Sequence, residues 1–223
     1  MIKMIKPVVN ISKVIEPFDT VIVGLYGVLY DGRSFKTEAV EALKAMKRSG
    51  RKIVLVSNAS LRVQQVIRLL NDNKVPVMVF DAVVTAGEIL HYKLKVKDET
   101  FKGLGLTYFN IGGEISLAPG AVAEQYAVLG GRIITLGKPD VKIIDYALDG
   151  IDVRDRSRVL LIGDNLATDI KGANLAGLSA ALVTKAVHVN FLGEGYIPDV
   201  AKTRELATNF DAYPDFIISN LRW

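Results

Sequence analysis

Side chains able to hold a phosphoryl group or a hard cation occur at three points in the sequence, each directly after an apolar run. Ser57 and Asn58 close the run that begins at Lys52. Lys138 follows Arg132–Leu136. Asp164 follows Arg158–Ile162, with Asp169 five residues farther on. Carboxylate oxygens suit Mg²⁺, and a lysine supplies the countercharge for phosphate. A fourth point, Gly24-Leu25-Tyr26-Gly27-Val28-Leu29, ends the apolar run Thr20–Leu25 and is followed by the turn residues Asp31-Gly32. It has the form of a catalytic strand-and-loop, but carries no carboxylate before Asp31.

The elements needed to bring these points together are legible as a strand–helix alternation. Strands are expected at Thr20–Leu25, Lys52–Ser57, Asp81–Thr85, Arg132–Leu136, Arg158–Ile162, Ser179–Thr184 and Phe216–Ser219. Helices are expected from Thr37 (as N-cap) to about Ser49, Leu61 to Asn73, Ala86-Gly87 to about Lys93, Pro139-Asp140 to Leu148, Thr168 to Leu175, and Asp199 (as cap) to about Asn209. The strands are unbroken apolar runs and do not alternate with polar residues, as expected of a parallel sheet covered on both faces. The expected fold is α/β: a three-layer, doubly wound parallel sheet whose strand ends share one rim, where ligands bind.

The rhythm breaks between Val96 and Gly131. Two short apolar runs, Leu106–Ile111 and Glu114–Leu117, flank Gly112-Gly113, a hairpin signal, and a helix is expected at Ala121–Leu129. The expected organisation is a core of residues 1–95 and 132–223 with a short insert, 96–131. Residues 1–19 read as a lead-in with a short helix from Asn10 to Ile15.

Composition narrows the classes. Of the 223 residues, 50% are hydrophobic and 23% charged, a balance that folds and does not stay disordered. There is no cysteine, hence no disulfide and no thiolate nucleophile. No apolar stretch reaches the roughly 18 residues of a membrane span, and no signal-peptide pattern follows the start, so a cytoplasmic protein off the membrane is expected. The net charge of +4 concentrates in Lys93, Lys95 and Lys97 and in the group Lys44, Lys47, Arg48, Arg51 and Lys52. These read as solvated element ends. Without aromatic interleaving they do not form a nucleic-acid stripe.

Taken together, the segments resemble the haloacid dehalogenase-like (HAD) hydrolases, class IIA, most of which are phosphatases of small phosphorylated metabolites. The resemblance covers residues 18–223. Gly163-Asp164-Asn165-Leu166-Ala167-Thr168-Asp169-Ile170, with Gly172, Ala176 and Gly177, is similar to the family's Mg²⁺-holding fourth motif, which implies Asp164 and Asp169 as metal residues. Ser57-Asn58-Ala59 is similar to the second motif, which holds the phosphoryl group. Gly137-Lys138-Pro139 is similar to the third, whose lysine neutralises nucleophile and phosphate. The family's first motif is Asp-x-Asp-Gly-Val, with a nucleophile and then an acid/base. Here Gly24 takes the nucleophile's place and Tyr26 the acid/base's, a degenerate motif; one class IIA subgroup also has an aromatic residue, Trp, at the second place. The family's cap domain is reduced to the 96–131 remnant.

The resemblance thus implies a phosphatase scaffold, impaired at Gly24, that binds Mg²⁺ weakly and takes a small phosphorylated metabolite or phosphate. Removing a covalent nucleophile costs on the order of 10⁴–10⁶ in rate. The alternatives are an active phosphatase with another nucleophile, such as Asp31, and an interaction protein. The latter would form a homodimer through Leu104, Leu106, Tyr108 and Ile115. Of the two histidines, His91 is expected on an exposed helix face and His188 in a structural place near the rim.

Overall fold

The computed structural model describes residues 4–96, 128, 130, 134 and 136–223. Seven strands are found among them: β1 Lys6–Pro7, β2 Thr20–Val23, β3 Lys52–Ser57, β4 Ala82–Thr85, β5 Val159–Gly163, β6 Ser179–Val183 and β7 Phe216–Ile218. They form one sheet in the order β1-β7-β6-β5-β2-β3-β4, and every pair is parallel. The helices are α1 Thr37–Arg48, α2 Val63–Asp72, α3 Ala86–Lys95, α4 Val141–Asp149, α5 Lys171–Leu175, α6 Val189–Leu192 and α7 Val200–Phe210.

The period of two along the strands divides the core into two layers. Val21 and Val23 of β2, Ile53 and Leu55 of β3, and Leu160 and Ile162 of β5 point to one side. There they meet Leu43 and Met46 of α1 and Val66 and Leu70 of α2. Ile22, Val54, Val56 and Leu161 point to the other, against Ile143, Ile144 and Leu148 of α4, Ala173 of α5 and Ile89 of α3. Both faces are covered, which is why the strands read as continuous apolar runs. The result is the expected three-layer α/β architecture.

β2 lies between β3 and β5. The chain winds outward from it in both directions, so its carboxyl end is the switch point where a parallel sheet leaves a crevice. Gly24 stands there, its N–H still donating to Ile162 O at 3.0 Å.

Several local expectations need correction. The lead-in is part of the core: β1 pairs with β7, Ile11 is fully buried, and the expected helix is a single 3₁₀ turn, Ile11–Lys13. Helix α1 begins at Thr37, but Lys36 is its cap position and no side chain closes it. α2 begins at Val63 because Leu61 and Arg62 are held extended: Leu61 O accepts from Thr85 Oγ1, and Glu88 takes the Val63 N–H. Pro139 precedes α4; Asp140 caps that helix by accepting from Lys142 N. Asp199 caps α7 as expected, accepting from Lys202 N. The segment expected as a helix from Thr168 opens as a π-helical turn, Leu166–Ile170, before α5. The expected hairpin and helix of the insert, and the strand at Arg132–Leu136 except for Ile134 and Leu136, lie outside the described residues, as do Leu104, Leu106, Tyr108 and Ile115.

Because Ile11 fills the core, Ile11→Ala is expected to lower stability by about 2–5 kcal/mol in urea unfolding. A loss under about 0.5 kcal/mol, the range of surface substitutions, would return residues 4–18 to the status of a dispensable lead-in.

Candidate functional site

The rim brings Gly24, Ser57, Asn58, Lys138, Asp164 and Asp169 into one neighbourhood. Asn58 joins two of its segments. Its amide donates to Lys138 O at 2.7 Å and accepts from Lys138 N at 2.7 Å. This reciprocal pair pins the Lys138 backbone to the end of β3 and uses both polar ends of the Asn58 side chain. Ser57 is buried, and its Oγ accepts from Ala59 N at 3.2 Å, leaving its hydroxyl proton for a ligand.

Lys138 is 7% exposed. Its Nζ donates to Val56 O at 2.9 Å and stands 2.6 Å from Asp169 Oδ1. That oxygen makes no directional hydrogen bond and is held by charge contact with the ammonium. The other Asp169 oxygen accepts from Asp164 N at 3.2 Å and Asn165 N at 3.1 Å. The π-helical turn carries Asp169 back over the loop that begins its own element. Gly163 permits the approach: a Cβ there would fall 2.1 Å from Asp169 Cβ. Asp169 is therefore the brace between the Asp164 loop and Lys138.

Asp164 faces the crevice against the backbone of Gly27, where a Cβ would fall 2.0 Å from its Oδ2. Burial, and then the charge of Asp169, push its carboxyl up to about 6, while the Val187 N–H and Lys138 pull it down. His188 supports the same loop. Its Nε2 accepts from Leu166 N at 3.1 Å, and burial pulls the ring below the usual histidine value, so it acts as a neutral acceptor. His91 is exposed on α3.

Gly24 leaves space at the centre. A Cβ built on it would sit 3.4 Å from Val28 Cγ2 and 4.0 Å from Asp169 Oδ1, ordinary contacts. Tyr26 is half-exposed and stacks edge-on to Tyr30, with ring centroids 5.7 Å apart. Burial, then Tyr30, raises its phenol above the usual value, so it remains a proton-bearing donor. It lines a groove of ≈ 840 Å³ with Tyr30, Arg33, Leu61, Gln65 and Arg68. Asp31 is committed to its own turn: its Oδ1 accepts from Ser34 N and Arg33 N, which hold the carboxyl below the usual range.

Lys36 belongs to the site although nothing in its spacing announced it. From the cap position of α1 its Nζ returns nine residues to donate to Gly27 O at 2.5 Å. The signal was weak: a lysine beside a helix start normally reads as surface.

The donor set does not fit a divalent metal. Gly24 contributes no ligand atom, both Asp169 oxygens are engaged, and among the described residues no three His, Cys, Asp or Glu side chains gather as a metal cluster. What remains is a buried hydroxyl, a buried ammonium and strand-end backbone.

Asp164 makes the site sensitive to pH. Its folded value of about 6 exceeds the ordinary 3.8, so the folded state holds the proton more tightly. The associated stabilisation is full below about pH 4 and is lost as pH rises through about 6, up to roughly 3 kcal/mol. Asp164→Asn is therefore expected to melt several degrees above wild type at about pH 8 and close to it at about pH 4. An equal difference at both values in calorimetric scans would contradict the assignment.

Known proteins share this fold. A haloacid dehalogenase-like hydrolase model matches residues 21–115, and a HAD-hydrolase-like model matches residues 135–222. A HAD-family hydrolase from Brucella suis superposes with a TM-score of 0.73 at 21% identity, covering 95% of this chain and 98% of that one. A 4-nitrophenylphosphatase from Thermotoga maritima gives 0.67 at 23% identity, covering 92% and 95%. A segment of 46 residues is 48% identical to the pyrimidine 5'-nucleotidase YjjG of Escherichia coli, spanning 21% of this chain and only 20% of that protein. No helix among the described residues is long and apolar enough to cross a membrane. With a matched model on each half of the chain and the same sheet in its structural neighbours, the chain belongs to the haloacid dehalogenase-like hydrolase superfamily.

Proposed function

We propose that this chain is a class IIA-type phosphatase scaffold that binds phosphate or a small phosphorylated metabolite at the β2 switch point and does not transfer the phosphoryl group through a covalent intermediate. The observation that carries this reading is Gly24: the strand end where an attacking carboxylate would stand has open space and no side chain, while Ser57, Lys138 and Asp164 surround it. Covalent phosphoryl transfer needs an activated nucleophile, and Gly24 cannot supply one.

The roles follow from what each group can do. Ser57 donates its hydroxyl proton to a phosphoryl oxygen. Lys138, already near Asp169, adds field without changing partner. The N–H groups of Leu25 and Tyr26 have no acceptor among the described residues and complete an anion cradle. The groove beside Tyr26 takes the organic part of the ligand, where Tyr26 and Tyr30 offer ring edges and Arg33 and Arg68 positive charge. The names of the Thermotoga and E. coli relatives support a phosphate ester with a ring in its organic part. Mg²⁺, expected from the resemblance, has a depleted ligand set here and contributes no step.

Asp31 as a replacement nucleophile is not favoured, since its exposed carboxylate is held in its turn by two backbone N–H groups. Release of p-nitrophenol from p-nitrophenyl phosphate tests the proposal. Wild type and Asp31→Asn are expected to be equally inactive. Gly24→Asp, which has room for its Cβ, is expected to gain at least about 10²-fold of the 10⁴–10⁶ attributable to such a group. Wild-type turnover abolished by Asp31→Asn would overturn the proposal.

A further inference from the structure

We infer that the Lys36 ammonium is a resident cation that takes the electrostatic place of a divalent metal beside Asp164, so that the site holds its anionic ligand without metal. The inference rests on the phosphate-binding reading above and adds to it the origin of the site's positive charge.

The geometry begins at the loop between β2 and α1. Tyr30 and Phe35 stack with centroids 4.8 Å apart and are joined by a backbone bridge, and Lys36 N donates to Leu29 O at 2.8 Å. These contacts fix the base of the Lys36 side chain. A lysine in that place is long enough to extend into water, as lysines ordinarily do. Lys36 is instead half-buried and donates inward to Gly27 O at 2.5 Å. Gly27 is the residue whose backbone lies against the Asp164 carboxylate. The ammonium thus occupies a backbone carbonyl oxygen beside the crevice carboxylate, the kind of oxygen set a hard cation would use.

The charges agree with this placement. Lys138 faces Asp169 at 2.6 Å, and Lys36 lies in the field of Asp164. Lys138 is in direct contact with Asp169, and Lys36 adds a second positive charge on the Asp164 side. A third carboxylate at residue 24 would leave the cluster negative and open to a dication, but Gly24 supplies none. Burial lowers the Lys36 pKa, and the nearby Asp164 and Asp31 charges offset part of that effect.

Calorimetric titration of the full chain with Mg²⁺ alone, and separately with inorganic phosphate in EDTA or in excess Mg²⁺, tests the inference. Wild type is expected to bind phosphate equally in both media and to show no Mg²⁺ binding. Lys36→Gln is expected to weaken phosphate binding in EDTA about tenfold, the effect of losing one nearby charge contact, and Lys36→Arg to retain it. In the Gly24→Asp background, the Lys36→Gln double variant is expected to bind Mg²⁺ at least about tenfold more tightly than Gly24→Asp alone. Equal Mg²⁺ affinity of those two variants, or a Lys36→Gln chain that binds phosphate like wild type, would overturn the role of Lys36. Absence of phosphate binding by wild type in both media would instead overturn the phosphate-binding reading. The Mg²⁺ comparison needs no phosphate and still judges Lys36. If the double variant fails to fold, the single Lys36 variants decide.

Discussion

A lysine ammonium removed from water must be matched by an anion, and the contact between Lys138 and Asp169 is the constraint on which the site depends. Both side chains are almost fully buried and 2.6 Å apart. Such a pair adds little net stability, because desolvation offsets most of the attraction, but removing one partner leaves an unmatched buried charge at about 3–5 kcal/mol. The pair therefore specifies arrangement more than it stabilises. Asp169 must reach back from its π-helical turn, Gly163 must lack a Cβ, and the Lys138 backbone must be pinned by Asn58. The ends of β3 and β5 and the start of α4 are tied together by one charge contact.

Seen from that contact, the emptiness at Gly24 is local. The strand end is in register with its neighbours, Gly24 N is bonded to β5, and the space above Gly24 admits a Cβ without displacing anything. The backbone at this strand end is paired, while residue 24 carries no side chain. Lys36 brings positive charge to the same loop, reaching Gly27 O from the start of α1. On the proposed reading, such a site holds an anion by hydrogen bonds and field and does not attack phosphorus.

Much of this was legible in the sequence for a physical reason. A parallel sheet covered on both faces demands continuous apolar strands, and β3 runs over the residues its apolar pattern marks, Lys52–Ser57. Residues at the ends of such strands share a rim by geometry alone, so Ser57, Lys138 and Asp164 could be grouped before any coordinates. Less was visible where contacts are long in sequence or elements very short. β1 has two residues and exists only because β7 offers it an edge. Asn58 is expected among the phosphate-binding residues, and the bond of its side-chain amide to a backbone 80 residues away leaves no trace in the sequence. Lys36 and His188 act through single contacts to backbone atoms, which leave no periodic trace.

The central claim is that this rim binds phosphoryl groups without becoming phosphorylated. The direct measurement is exposure of the wild-type chain to ³²P-labelled acetyl phosphate, with label read both as reversible binding by equilibrium dialysis and as acid-stable incorporation after quenching. Reversibly bound label and no acid-stable label are expected. Acid-stable incorporation, or no bound label at all, would contradict it.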